Sequence, residues 1–298
     1  MLRLILGTAQ LGLPYGIANR SGQPAMATAT RLIEAAWEGG IRLFDTAQAY
    51  GSSEEALGLS LRELGLAGQA RIVSKPSPTV SADDAQRVRG MAVASLGLLG
   101  IPALYGLMLH REEQLPLLDG PFGEALQRLA ATGIVHKLGV SVYSPEAAIR
   151  ALRHPLVSLL QIPASLFDRR FEVAGVFALA RELGKEVHVR SALLQGALCM
   201  KPEDLPVHLT PLAPALAEFR GLCAAHDLAP ATLALAWALR RYPESFVLFG
   251  AESPEQVRQN LDMLGKADRI LPTLAASLEP IMPPQVDTLL NPSLWNTP

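Results

Sequence analysis

Residues 42–64 read RLFDTAQAYGSSEEALGLSLREL, and this segment holds one complete strand–loop–helix unit. Arg42–Asp45 is a short apolar strand that ends in a carboxylate. Ser53–Leu64 repeats apolar side chains at helical spacing and stops before Gly65. The loop between them carries Tyr50. The segment therefore predicts one β/α step of a parallel sheet.

The same alternation of short apolar strands and longer amphipathic helices extends in both directions along the chain. The predicted strands are Leu2–Leu6, Arg42–Asp45, Arg71–Lys75, Tyr105–His110, Lys137–Ser141, Ser158–Ile162, Glu186–Arg190 and Phe246–Phe249. The predicted helices are Met26–Glu38, Ser53–Leu64, Asp83–Leu99, Phe122–Ala131, Pro145–Leu152, Phe171–Leu183, Pro211–His226, Pro230–Tyr242 and Pro254–Leu264. Eight such units in about 250 residues fit a closed (β/α)₈ TIM barrel of the α/β class.

We expect a single domain over residues 1–298. The stretch 271–298 is rich in proline, and we expect it to run as a tail over the barrel surface. A doubly wound open sheet is the alternative architecture, and it usually carries a G-x-G-x-x-G turn after its first strand. Residues 7–12 read GTAQLG, which does not match that turn and favours the barrel.

The composition narrows the class of protein. Hydrophobic residues make up 49% and charged residues 18% of the 298 positions, so the chain has ample material for a large core. The net charge of −2 gives no basic excess for nucleic acid. The two cysteines, Cys199 and Cys223, are too few for a disulfide framework or a zinc site, so we expect reduced thiols and no metal. Residues 1–16 have no signal-peptide cleavage pattern, and we expect a cytoplasmic protein.

One charge-free run, Gly90–Leu109, is long enough to cross a bilayer. Gly100 and Pro102 interrupt its middle. We interpret the run as a helix end, a turn and a buried strand, and we expect no membrane partner.

Four side chains with useful proton chemistry fall at three neighbouring strand ends. Asp45 ends the second predicted strand and Tyr50 follows it, while Lys75 and His110 end the third and fourth. Active sites of these barrels lie at the carboxyl ends of the strands. Neighbouring strands are about 4.8 Å apart, so these groups can converge on one small molecule.

The four residue types complement one another chemically. A nearby ammonium such as Lys75 would lower the pKa of a tyrosine, and Asp45 can keep that lysine charged by pairing with it. We therefore interpret Tyr50 as a general acid, tuned by Lys75 and Asp45, with His110 orienting a substrate carbonyl. Taken singly, each residue is as consistent with a structural role: a cap, a buried aromatic, a solvated lysine or a satisfied histidine.

These residues resemble those of the aldo-keto reductase family, and the similarity extends from Leu6 to Asn260. The segment Phe44–Glu54 is similar to the family's D-T-A-x-x-Y-G motif. Asp45, Tyr50, Lys75 and His110 occupy the four positions of the family's catalytic tetrad. The resemblance implies a (β/α)₈ barrel, a nicotinamide cofactor bound without a Rossmann fold, and hydride transfer to an aldehyde or ketone.

The resemblance also implies a set of cofactor-binding residues. Ser141 and Gln161 match the positions that hold the carboxamide, the loop 190–196 matches the pyrophosphate loop, and 250–260 matches the adenosine end. The full set is Gly7, Thr8, Ala9, Asp45, Ser141, Gln161, Arg190, Ser191, Leu193, Gln195, Gly196, Gly250, Ala251, Ser253, Gln256, Gln259 and Asn260. Ser253 and Gln256 also form an S-x-x-Q capping box with Pro254 at the first helical position.

The chain departs from the family pattern near the nicotinamide. Val142 stands where many members have asparagine, Ser165 lies where a tyrosine–asparagine pair is usual, and Arg190 replaces an aromatic residue that stacks on the ring. At the adenosine end, Gly250 and Gln256 stand where NADP-preferring members often carry basic residues. Glu252 adds a carboxylate there, so NADP(H) and NAD(H) both stay open as cofactors.

Two functions follow from these patterns. The first is a carbonyl reductase or alcohol dehydrogenase acting on a small carbonyl or sugar substrate. The second is a nicotinamide-binding regulatory protein on the same scaffold with little or no turnover, which the changes near the nicotinamide favour. A lyase that uses Lys75 as a Schiff-base nucleophile would leave Tyr50 and His110 without a role. We expect substrate selection from the loops Arg111–Phe122, Pro163–Phe171, Leu198–Pro211 and the tail.

Overall fold

The computed structural model describes residues 2–19 and 21–295 and has a closed barrel of eight parallel strands in the order β1 to β8. The predicted (β/α)₈ fold is confirmed. The strands are β1 Leu4–Gly7, β2 Leu43–Asp45, β3 Arg71–Ser74, β4 Leu104–Leu109, β5 Val135–Ser141, β6 Leu159–Pro163, β7 Glu186–Arg190 and β8 Phe246–Phe249. Their apolar runs are nearly continuous because both faces of a barrel sheet are buried.

The strand register brings the polar ends of the strands to one level. Gly7 pairs with Asp45, Ser141 with Gln161, and Pro163 with Arg190. Because the strands are parallel, all these residues lie at the same mouth of the barrel. The register therefore assembles the residues predicted to carry the chemistry.

Nine helices of seven or more residues surround the barrel in the described ranges. They are α1 Met26–Glu38, α2 Ser53–Glu63, α3 Val88–Leu99, α4 Pro121–Ala131, α5 Pro145–Arg153, α6 Val176–Glu182, α7 Ala213–Ala225, α8 Pro230–Arg241 and α9 Pro254–Leu278. One-turn helices occur at Ala9–Gly12, Arg170–Val173 and Asp287–Leu290. Short 3₁₀ helices occur at Ala82–Arg87, Glu112–Asp119, Leu194–Cys199, Pro202–Asp204, Val207–Leu212 and Pro292–Leu294.

The predicted end of the last helix at Leu264 is wrong. Helix α9 continues through Gly265 and Pro272 to Leu278. Its second half buries Ala267, Leu271, Leu274 and Leu278 at helical spacing. Burying each large apolar side chain contributes about 1.5–3 kcal/mol, which offsets the cost of the interior glycine and proline. The first part of the predicted tail is therefore helix, and residues 296–298 of it lie outside the described residues.

The charge-free run Gly90–Leu109 is not one continuous helix. Helix α3 ends at Gly100, which has a φ of 67° in the left-handed region that glycine adopts readily, and β4 follows. Within residues 2–19 and 21–295, no single helix is long and apolar enough to cross a bilayer. One pair of helical segments, Val207–Ala225 and Pro230–Arg241, has sufficient combined length and apolarity, but the two are bent by 98° relative to each other.

The core has two layers. The larger layer lies between the strands and the surrounding helices and includes Leu6, Phe44 and Leu160. A smaller cluster fills the barrel interior and is formed by Ile5, Leu43, Val73, Met108 and Leu159.

Below the interior cluster, the amino-terminal end of the barrel contains a polar network. Glu186 accepts hydrogen bonds from Lys137 Nζ at 2.6 Å and Tyr105 Oη at 2.7 Å, and its other oxygen lies 2.8 Å from His188 Nε2. These contacts lower the pKa of Glu186 to about 2 although burial opposes the shift. The network closes the end of the barrel opposite the candidate site.

Candidate active site

A cavity of about 590 Å³ lies at the carboxyl ends of the strands. Its volume falls within the range of small-molecule and cofactor sites. Its lining contains most of the predicted site residues: Gly7, Thr8, Ala9, Asp45, Tyr50, Gln161, Arg190, Ser191, Leu193, Gln195, Gly196, Gly250, Ala251, Gln256, Gln259 and Asn260. The other predicted site residues are Lys75, His110, Ser141 and Ser253, which do not line it in the described chain.

Asp45 and Lys75 form the predicted ion pair. Lys75 Nζ lies 2.6 Å from Asp45 Oδ1 and also donates to the carbonyl of Thr46 at 3.2 Å. Both residues are buried, and the lysine side chain is only 1% exposed. Gln161 Nε2 donates to the second carboxylate oxygen of Asp45 at 2.8 Å. A Schiff-base nucleophile needs an unpaired amine open to the substrate, and Lys75 meets neither condition.

The loop that carries Tyr50 lies tightly against the first loop of the barrel. A Cβ added to Gly12 would lie 1.8 Å from the Tyr50 carbonyl oxygen, and one added to Gly51 would lie 2.4 Å from the Gly12 carbonyl oxygen. Ser53 reinforces this contact because its hydroxyl donates to the carbonyl of Thr8 at 2.7 Å. Glycine at both positions therefore lets the two loops pack and fixes the position of Tyr50.

Burial raises the pKa of Tyr50 well above its ordinary value, and the charge of Asp45 raises it further. The prediction that Lys75 lowers this pKa is wrong. Lys75 Nζ lies 5.3 Å from the centre of the Tyr50 ring, but the Asp45 carboxylate that pairs with it opposes its charge. Arg190 is the cation whose charge lowers the pKa of Tyr50. In this structure Tyr50 is a protonated phenol at neutral pH.

His110 lies beside Tyr50 with the two rings edge to face and their centroids 5.7 Å apart. Burial and the charge of Lys75 lower its pKa to about 4, so the imidazole is neutral at pH 7. Its backbone N–H donates to Gln114 Oε1 at 2.9 Å, which fixes the chain at this strand end. Its buried Nδ1 has no hydrogen-bond partner within the described ranges.

Arg190 organises the opposite wall of the cavity. Its guanidinium carbon lies 3.8 Å from the centre of the Tyr143 ring, which is a stacking contact. Its Nε donates to Ser141 Oγ at 3.3 Å and its Nη2 to the carbonyl of Val142 at 3.1 Å. The backbone of Tyr143 is held in turn because Glu112 accepts its N–H at 2.7 Å. Sequence reasoning identified Arg190 but not its stacking partner Tyr143.

The loop after β7 has an unusual backbone. Ser191, Leu194 and Gln195 have φ values of 58°, 47° and 50°, and Gly196 has 94°. Leu194 and Gly196 donate their backbone N–H groups to the carbonyls of Ser191 and Leu193 at 2.8 and 2.9 Å, which fixes this tight turn. The loop lines the cavity at the predicted pyrophosphate position.

The first residues of helix α9 border the far part of the cavity. Ser253 Oγ accepts from Gln256 N at 3.2 Å, as the predicted cap requires, while Gln256 Oε1 accepts from Glu252 N at 2.8 Å rather than from Ser253. Gly250 lies close to Gln10: a Cβ added to Gly250 would lie 2.5 Å from the side-chain amide nitrogen of Gln10. A helix amino-terminus in this position attracts a phosphate group.

Tyr15 and Arg220 line the cavity without a counterpart in the sequence prediction, whereas Lys201 lies in the predicted loop Leu198–Pro211. Tyr15 projects from the first loop, and Lys201 and Arg220 lie near the loop after β7. Arg220 Nη1 donates to the carbonyls of Cys199 and Met200, both at 3.2 Å. Tyr15 could have been predicted because it lies in a loop that follows a strand end, whereas Arg220 lies on a helix and has no such signal.

Two arginines lie near the end of the loop Pro163–Phe171, which was predicted to select the substrate. Arg169 is buried and binds the carbonyl of Glu279 at 3.0 Å, and Arg170 pairs with Asp168 and Asp287. Both side chains therefore hold the segment after α9 against the loop that follows β6.

The donor set fits a nicotinamide dinucleotide at this site. Gln161 already uses its amide nitrogen on Asp45, which leaves its amide oxygen for a carboxamide N–H. The Ser141 hydroxyl accepts from Arg190 and retains its proton for a carboxamide oxygen. The start of α9 suits a phosphate. Three metal-ligating side chains do not come together anywhere in residues 2–19 and 21–295.

A sequence profile of the aldo/keto reductase family matches residues 3–268. The chain therefore belongs to this family, as the resemblance predicted. One relative is the NADH-specific methylglyoxal reductase of Escherichia coli (strain K12), which is 26% identical over 266 residues, covering 76% of this chain and 79% of the relative. Another is a putative voltage-gated potassium channel subunit beta of Schizosaccharomyces pombe, 25% identical over 290 residues, covering 84% and 83%.

Solved structures show the same fold. The glycerol dehydrogenase of Gluconobacter oxydans superimposes with a TM-score of 0.72 at 24% sequence identity, covering 93% of this chain and 92% of that one.

Proposed function

We propose that the chain is an NAD(P)H-dependent oxidoreductase that interconverts an aldehyde or ketone and the corresponding alcohol. The observation that carries the proposal is the grouping of four side chains: the buried Lys75–Asp45 pair at 2.6 Å, with Tyr50 and His110 beside it at the mouth of the barrel. A family that contains carbonyl-reducing relatives supports the same reaction class.

The cofactor supplies the hydride when it is bound. Ser141 and Gln161 would hold its carboxamide, the loop Ser191–Gly196 its pyrophosphate, and the start of α9 its adenosine end. The remaining chemistry is proton transfer and charge stabilisation, and both belong to residues of this chain.

Tyr50 acts as the general acid in the reducing direction. Its raised pKa keeps the phenol protonated at neutral pH, so a proton is available for the carbonyl oxygen that becomes an alcohol. The phenolate left behind is stabilised by the charge of Arg190, whereas the charge of Lys75 Nζ, 5.3 Å from the ring centre, is opposed by Asp45.

His110 orients the same oxygen. A neutral imidazole has one N–H donor, and its low pKa of about 4 keeps it neutral, so it hydrogen-bonds the carbonyl without transferring a proton. Asp45 keeps Lys75 in position through the ion pair and is itself fixed by Gln161. Asp45 and Gln161 therefore act through Lys75 rather than on the substrate.

The first experiment is a titration of the purified protein with NADPH and NADH, followed by cofactor fluorescence, and then a panel of aldehydes, ketones and sugars. Binding in the micromolar range with turnover supports the proposal and determines the cofactor. Failure of both cofactors to bind contradicts it.

A second function is a nicotinamide-binding regulatory protein with negligible turnover. The relative named as a putative channel beta subunit favours it, as does Arg190 in place of a stacking aromatic residue. It predicts tight cofactor binding without turnover on the whole carbonyl panel, which the same titration distinguishes.

A further inference from the structure

Arg190 carries a positive charge that has no carboxylate partner. Its hydrogen bonds go to the hydroxyls of Ser141 and Ser191 and to the carbonyl of Val142, all of which are neutral. Within residues 2–19 and 21–295 no carboxylate oxygen lies within ion-pair distance of its guanidinium nitrogens. Its stacking on Tyr143 and these bonds hold the charge at a fixed position on the cavity wall.

The other charges near this wall do not cancel it. Lys75 and Asp45 pair with each other at 2.6 Å rather than with Arg190. On the Tyr143 side, Glu112 accepts the backbone N–H groups of Tyr143 and Ser144 and the Ser144 hydroxyl, and it forms no ion pair with Arg190 in the described residues. Lys201 and Arg220 also line the cavity, but they lie with the loop around Cys199.

Arg190 lies at the part of the site where the nicotinamide would bind, because it shares Ser141 with the proposed carboxamide position. The oxidised nicotinamide ring carries a positive charge and the reduced ring is neutral. An aromatic side chain at this position would stack on either form without a formal charge, whereas a fixed guanidinium repels only the oxidised form. The charge therefore distinguishes the two redox states of one ligand.

We propose that Arg190 makes this protein bind the reduced nicotinamide cofactor more tightly than the oxidised one. This inference rests on the proposed function for the position of the ring, and it adds a preferred direction to that function, toward carbonyl reduction. Release of the oxidised cofactor after hydride transfer is favoured by the same repulsion. A regulatory protein with this arginine would respond to the reduced fraction of the cofactor pool.

The test is a set of equilibrium dissociation constants without any carbonyl substrate. The Kd values of NADPH, NADP⁺, NADH and NAD⁺ are measured by calorimetry for the wild type and for Arg190→Gln and Arg190→Lys. Repulsion between two like charges in contact, in a site that water partly reaches, weakens binding by about tenfold, or about 1.4 kcal/mol. We expect the wild type to bind the reduced form at least about tenfold more tightly, and Arg190→Gln to reduce that ratio by about tenfold.

The controls separate charge from packing and from general binding. Arg190→Lys keeps a charge and loses the planar stack, so it retains most of the ratio. Arg220→Gln removes another cation from the cavity lining. It leaves the ratio of the oxidised and reduced Kd values unchanged, even if both forms bind more weakly. Circular dichroism and the unfolding temperature verify that each variant is folded.

An equal ratio in the wild type and Arg190→Gln overturns the inference and leaves the oxidoreductase proposal standing. Loss of the ratio in both Arg190→Lys and Arg190→Gln assigns the effect to packing and also overturns it. A wild type that binds none of the four nucleotides overturns this inference together with the proposed function.

Discussion

The substitution Asp45→Asn isolates the energetic role of the buried ion pair. In the wild type, Lys75 Nζ has two oxygen partners, Asp45 Oδ1 at 2.6 Å and the carbonyl of Thr46 at 3.2 Å. Asparagine has one oxygen where aspartate has two, so Lys75 and Gln161 compete for it while an NH₂ group faces the other donor. The ammonium, which is 1% exposed, then lies in the core without a counter-charge.

Breaking a buried pair in this way costs about 3–5 kcal/mol because the remaining charge stays desolvated. At roughly 2–4 °C per kcal/mol for a domain of this size class, the melting temperature falls by roughly 10 °C. Urea denaturation followed by circular dichroism measures the free energy of unfolding, and calorimetry measures the melting temperature. No substrate or cofactor is needed, so the result does not depend on the reaction.

The matched control combines Asp45→Asn with Lys75→Met. It removes both charges and keeps an unbranched side chain at position 75. We expect the double variant to be more stable than Asp45→Asn alone, because the stranded ammonium is gone. The reasoning is refuted if Asp45→Asn costs less than about 1 kcal/mol, or if the two substitutions destabilise additively.

Three further predictions follow from the same structure. His110 has a pKa of about 4 in the folded protein against 6.5 unfolded, so the unfolded state binds more protons in this range and stability is lost as the pH falls from 6.5 to 4. His110→Asn should remove up to about 3 kcal/mol of that pH dependence in urea titrations, and parallel curves for the two proteins would contradict this. Glu186→Gln leaves Lys137 half-buried without its carboxylate and should cost about 2–4 kcal/mol in urea denaturation while cofactor Kd is unchanged, and a loss below about 1 kcal/mol would be inconsistent with the network. Gly12→Ala directs a methyl group within 1.8 Å of the Tyr50 carbonyl oxygen and should lower turnover in steady-state assays, whereas Gly90→Ala, with nothing within 4 Å, should not; equal turnover in the two variants would argue against the loop contact.

The fold was predictable because its signals are local. Each strand is a short apolar run and each helix has a periodic apolar face, so all eight strands were found within two residues of their observed bounds. The last helix was misjudged at Gly265 because propensity alone ends a helix there. The burial of Leu271, Leu274 and Leu278 that extends it is a tertiary effect with no local signature.

The site was predictable only to the level of residue types. Asp45 and Lys75 were paired correctly, since strand-end residues of neighbouring strands must meet. The electrostatics of Tyr50 were not, because burial, which dominates its pKa, depends on the whole assembled mouth. The bond from Gln161 to Asp45 joins residues 116 positions apart, and the stacking of Arg190 on Tyr143 joins the end of β7 to the loop after β5, so neither could be derived from local sequence.

The central claim is that Tyr50 donates the proton in carbonyl reduction, and Tyr50→Phe tests it most directly. The variant keeps the aromatic ring and its edge-to-face contact with His110 but removes the acid. Reduced-cofactor Kd and the single-turnover rate of cofactor oxidation with an excess of the best aldehyde are measured side by side for both proteins. The account predicts a Kd within about threefold of the wild type and a rate lower by about 10²–10⁴-fold. A rate within about tenfold of the wild type, with Kd unchanged, would contradict the assignment of Tyr50.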